Sequence, residues 1–144
     1  AVIIDLGEGQ DIHPREKKTV AARLLRIALD RTYDFDLPSR SPEYRNHRWA
    51  EGRAIVEFDT FGSKLRTFDT REVQGFTLRD EAGNWHNASA KLLNDDSVTV
   101  WNEDVPSPNA IRYAWADNPV CNLLSEEGLP ATPFRTDLPQ PAQQ

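Results

Sequence analysis

The run Gly7-Glu8-Gly9-Gln10-Asp11-Ile12-His13-Pro14 sets a carboxylate and an imidazole two positions apart on a polar, glycine-rich stretch. Imidazole titrates near neutrality, so His13 can take a proton from a serine hydroxyl and hand it on. Asp11 is the candidate for orienting the ring. The same residue types also cap helices and form turns, so the pair by itself is more often a structural loop than a catalytic one. A metal reading of Glu8, Asp11 and His13 is weaker, because no second histidine cluster accompanies them.

A strand and a helix must position that stretch. Ala1 to Asp5 is short, apolar and rich in β-branched residues, which predicts a buried strand. Active sites of open α/β sheets gather at the carboxyl ends of such strands. After the loop, Pro14 suits a first helical position and Glu16 complements the positive helix end. Val20, Leu24 and Ile27, with Ala21, Leu25 and Ala28, form an apolar stripe. The basic residues from Arg15 to Arg31, Arg23 among them, read as a solvated face. The helix is expected to end near Tyr33.

Residues 1–33 therefore read as the end of an α/β domain, and the chain as beginning partway through a longer protein. A proline-bearing linker is expected over 34–42. Short alternating runs then predict an all-β sandwich over 43–137. Ala54, Val56 and Phe58 share one face; Phe76 with Leu78, Leu92 with Leu93, and Val98 with Val100 follow; Ile111, Tyr113 and Trp115 make the last strand. Ala50-Glu51-Gly52 and Asn94-Asp95-Asp96 are candidate hairpin turns. Residues 138–144 are rich in Pro and Gln and are expected to be disordered.

Composition narrows the partners. A net charge of −6 favours neither nucleic acid nor an anionic membrane, and no apolar run is long enough to span a bilayer. Cys121 is the one cysteine, which rules out an intrachain disulfide and leaves it to read as a buried apolar residue.

Two segments carry a resemblance. IIDLGEGQDIHPREK, from Ile3 to Lys17, is similar to the last catalytic block of the SGNH-type esterases, specifically the sialate O-acetylesterase group. RYAWADNPVCNLLSEEGLPATPFRTD, from Arg112 to Asp137, looks like the closing motif of the same group. The resemblance implies a mixed fold: the last strand and helix of an SGNH-like α/β hydrolase domain, then the β-sandwich. It implies a cofactor-free serine esterase that removes acetyl groups from sugar hydroxyls, including those of sialic acids, and a periplasmic or secreted location. His13 falls on the family's catalytic base. The wider family carries its acid three residues before the histidine, where this chain has Gln10, so either Asp11 or a backbone carbonyl orients His13.

The family's glycine-flanked nucleophile block does not occur here. None of Ser39, Ser41, Ser63, Ser89, Ser97, Ser107 and Ser125 follows a glycine elbow. The serine is therefore expected from the N-terminal portion of the same esterase, and the chain alone is expected to be inactive. The rival from another class is a non-catalytic carbohydrate-binding or docking sandwich; a structural interaction domain is a third. Trp49, Trp85, Trp101 and Trp115 read mainly as core residues. His47 and His86 read as solvent-facing. Arg112, Tyr113, Trp115 and Asp117 are expected to fix the last strand. Asn87-Ala88-Ser89 fits a glycosylation sequon, to which no function is attached.

Overall fold

A computed structural model describes residues 1–7 and 13–138. Asp11 and the predicted disordered stretch beyond Leu138 lie outside the described residues. The order of elements is α1 (Lys17–Tyr33), β1 (Glu43–Ala50), β2 (Arg53–Asp59), β3 (Leu65–Thr67), β4 (Phe76–Arg79), β5 (Trp85–Asn87), β6 (Ser89–Leu92), β7 (Ser97–Trp101), β8 (Ala110–Tyr113), β9 (Leu123–Ser125) and β10 (Phe134–Arg135).

Strands dominate, and they form three antiparallel sheets ordered β1-β2-β7-β6, β10-β8-β4-β5 and β3-β9. Ala54, Val56 and Phe58 alternate inward on β2, and Val98 and Val100 meet them from β7; all five are 0% exposed. Phe76, Leu78, Ile111, Tyr113 and Phe134 supply the second sheet's share of the same core. Burying each large apolar side chain is worth about 1.5–3 kcal/mol, which is why the two-residue period sets the register. The β1–β2 hairpin closes as expected at Glu51 and Gly52, whose positive φ values of 52° and 72° make a two-residue turn of the primed type. Asn94 closes β6–β7, its Oδ1 accepting from Asp96 N at 3.0 Å and from Ser97 Oγ at 2.7 Å. On β1 the register shifts between Tyr44 and Asn46, leaving a bulge at Arg45.

The expected strand–helix remnant of an α/β hydrolase domain is overturned. The described residues form a strand-dominated domain with one helix, and Ala1 to Asp5 is not a strand. A buried strand needs hydrogen-bonded neighbours, and here Ile3 is 37% exposed while Leu6 N turns back to Ile3 O at 3.1 Å. The helix also departs from its predicted face. Leu24 and Leu25 are more than half exposed, and the buried residue of α1 is Arg23. Its N-cap is Glu16, not the proline region: the Glu16 carboxylate accepts from Thr19 N at 3.3 Å. The segment after α1 is tied down by a Ser39–Asp30 hydrogen bond and by Thr132 N donating to Pro42 O at 2.8 Å.

Candidate functional site

Both ends of the stretch that carries His13 are held by one side chain. Arg23 projects from the second turn of α1, 7% exposed, toward the segment that precedes the loop. Its Nη1 donates to Val2 O at 3.0 Å and to Asp5 Oδ1 at 2.6 Å; its Nη2 donates to Asp5 Oδ2 at 2.6 Å and to Gly128 O at 3.3 Å. The guanidinium thus joins the residues before the loop, the helix after it, and the turn that follows β9. A planar fork matched to a carboxylate does this where a lysine could not. Sequence reading assigned Arg23 to a solvated face; its partners lie 21, 18 and 105 residues away, and no local pattern signals them.

His13 is exposed at the far end of the stretch. Its proposed companion Asp11 is outside the described residues. At the near end, Gly7 sits so close to Asn118 that an added Cβ would lie 3.3 Å from Asn118 Oδ1. Beyond Gly7 opens a cleft of about 540 Å³, whose walls include Phe68, Asn118 and Val120. Asn122, which the sequence did not flag, binds these walls together from beneath. It is 5% exposed, accepts from Gln74 N at 2.8 Å, and donates to Thr70 Oγ1 at 3.0 Å and Glu72 O at 2.9 Å. Burial pushes the Cys121 thiol up, as it does the neighbouring Tyr113 hydroxyl, which accepts from Leu123 N at 3.3 Å. Cys121 is half-buried, in keeping with its apolar reading.

The serines with described partners do structural work. Ser63 donates to Glu127 at 2.6 Å, Ser97 to Asn94 at 2.7 Å, and Ser125, fully buried, accepts from Leu129 N at 3.3 Å. Among the described residues no group of three His, Cys, Asp or Glu side chains is placed to hold a metal ion. Among the described residues no helix is long and apolar enough to cross a membrane.

The strand expected to be the last, β8, is followed by β9 and β10; Arg112 and Tyr113 of the closing motif lie within β8. Arg112 lies 3.8 Å above the Trp85 ring and donates to Asp137 at 3.0 Å. The Arg135 hydrogen bond to Asp137, followed by that of Arg112, holds the Asp137 carboxyl well below the usual range. Trp115 behaves otherwise: it leaves the strand and is 51% exposed. His47 is half-buried rather than solvent-facing, with Nδ1 2.7 Å from the Tyr44 hydroxyl, and burial lowers its pKa. His86 Nε2 lies 2.8 Å from Asp80 Oδ2, and that bond leads in holding Asp80 at about 2.

No protein-family model and no curated protein matches the chain. Among solved structures the chain is similar to a carbohydrate acetylesterase from Xanthomonas citri, with 38% sequence identity and a TM-score of 0.89. The match covers 95% of this chain and 32% of that protein, so the chain spans about a third of the esterase that it resembles.

Proposed function

We propose that this chain is part of a serine carbohydrate esterase that removes O-acetyl groups from sugars, sialic acids among them. The likeness to a carbohydrate acetylesterase across 95% of the chain carries the reading. The inclusion of sialic acids draws its support from the two sequence segments at Ile3–Lys17 and Arg112–Asp137. His13 is the general base, and the serine comes from the N-terminal portion of the same esterase.

In this mechanism the serine hydroxyl attacks the acetyl carbonyl as its proton passes to the His13 imidazole. The tetrahedral intermediate expels the sugar oxygen, which takes that proton from His13 and leaves as a hydroxyl. Water then attacks the acetyl-enzyme with His13 again accepting the proton. Collapse of the second tetrahedral intermediate breaks the serine ester bond, His13 returning the proton to the serine oxygen as the acetyl group leaves as acetic acid. Asp11, or a backbone carbonyl in its place, orients the ring. The Arg23–Asp5 clasp keeps the two ends of the loop fixed, which limits the misplacement that would cost rate.

The test uses the complete esterase, with p-nitrophenyl acetate and O-acetylated sialic acid as substrates. His13→Ala is expected to lower kcat by about 10⁴-fold or more, with the substrate still bound. Wild-type turnover retained in His13→Ala would remove the base from this chain. Hydrolysis of acetylated xylose with none of acetylated sialic acid would remove sialic acids from the substrates and leave the esterase reading standing.

A further inference from the structure

We infer that Trp115 is the platform of a saccharide-binding cleft on the β-sandwich, shaped for uncharged sugar rings. Alternation along β8 would put Trp115 on the same inward face as Tyr113, which is fully buried. Ala114 prevents this. Its φ is +48°, in the left-handed region, its N–H donates to Gly75 O at 2.9 Å, and it is itself only 4% exposed. The chain thus accepts a strained alanine and forgoes the burial of an indole, the largest apolar contribution available at that position. The indole is left 51% exposed, open to stacking by a sugar ring.

The ring is also braced. The Arg135 guanidinium carbon lies 5.3 Å from the Trp115 ring centre, and Arg135 is fixed by Asp137, with Nε to Oδ1 at 2.8 Å. A stiffened aromatic face loses little entropy when a sugar stacks on it. Beside it opens a cleft of about 490 Å³, within the range of small-molecule sites. Phe76 and Ala90 contribute apolar wall, while Gln74, Asn87 and Ser89 offer amide and hydroxyl groups. Such groups both donate and accept, as sugar hydroxyls do. Glu72 is the charged residue among those lining the cleft, which disfavours acidic sugars.

Gln74, Pro119 and Val120 also border the neighbouring cleft that reaches Gly7. A saccharide seated on Trp115 can therefore extend toward the loop that ends at His13. Binding is independent of the esterase reading; its use in presenting an adjoining acetylated unit rests on that reading.

The experiment titrates the 144-residue chain, ¹⁵N-labelled, with cellohexaose and xylohexaose, neither of which carries an acetyl group to hydrolyse, and with hexagalacturonate as the acidic control. Saturable shifts are expected at the Trp115 indole N–H and at the Gln74, Asn87 and Ser89 signals with at least one neutral probe. Trp115→Ala should weaken that binding about tenfold or more, equivalent to the loss of about 1.4 kcal/mol, while Trp115→Phe keeps most of it. A dispersed spectrum for each variant certifies its fold. His13→Ala should bind as wild type does, which separates this site from the catalytic proposal. Absence of saturable shifts with both neutral probes overturns the inference. Shifts that survive Trp115→Ala, or hexagalacturonate binding as tightly as the neutral probes, overturn it equally.

Discussion

Replacing Arg23 by alanine should cost far more than a helix-surface substitution. The Arg23 side chain is 7% exposed and that of Asp5 is 23% exposed, so the pair lies between a surface ion pair, worth about 0–1 kcal/mol, and a fully buried one, whose disruption costs about 3–5 kcal/mol. Arg23→Ala leaves the Asp5 carboxylate largely covered and two carbonyls without their donor, for a loss of about 3 kcal/mol. Asp5→Asn keeps the contacts to Val2 O and Gly128 O and should cost about 2 kcal/mol. The double variant should fall about 1.5 kcal/mol short of the sum, because the two residues share one interaction. Arg23→Lys retains charge without the fork and should recover less than half of the loss. Urea unfolding, followed by far-ultraviolet dichroism for α1 and by tryptophan fluorescence for the sheets, reads each value. A destabilisation by Arg23→Ala below about 0.5 kcal/mol, or a cycle that adds without coupling, would refute the clasp.

Two further outcomes follow from the same coordinates. Gly75 has φ +104°, and an added Cβ would lie 3.0 Å from Cys121 Cβ and 3.1 Å from Val120 O, so Gly75→Ala should lose about 2–4 kcal/mol in urea unfolding; a neutral effect would show that the 118–121 loop yields freely. Burial lowers the His47 pKa, so the folded state binds its proton less readily than the unfolded chain does. Its contribution is complete above the unfolded value of about 6.5 and is lost as pH falls below it, so wild type should lose stability there more steeply than His47→Gln; parallel profiles would exclude His47 as the cause.

Much of the strand pattern is legible because its information is local. Ala54, Val56 and Phe58 report their face by alternation alone, and Glu51-Gly52 reports its turn by the φ values it can reach. The failures share the opposite property. Ala1 to Asp5 has the composition of a strand, but composition cannot say whether a neighbouring strand exists to pair with it. Arg23 looks like any basic residue on a helix until Gly128, 105 residues away, arrives beside it. Trp115 continues a period of two that a single left-handed residue, Ala114, interrupts. Asn122 has no sequence signal; only the fold brings Gln74, Thr70 and Glu72 to it. The role of His13 rests on the resemblance of the Ile3–Lys17 segment, since its residue type and neighbours alone also suit a structural loop.

The bulge at Arg45 bears on how copies of the molecule meet one another. At eight residues β1 is the longest strand, and it lies at the outer edge of its sheet, where an open row of amides and carbonyls would invite strand addition by a second chain. The extra residue breaks that row, so an incoming strand cannot keep a continuous register across it. Arg45 is held by Asp96 at 3.1 Å and Glu57 at 3.5 Å, and the exposed Arg48 adds a positive charge that an identical edge would meet with its own. The strand most capable of seeding fibrous assembly is thus the one whose template is interrupted, and removal of the bulge is the change that would expose it.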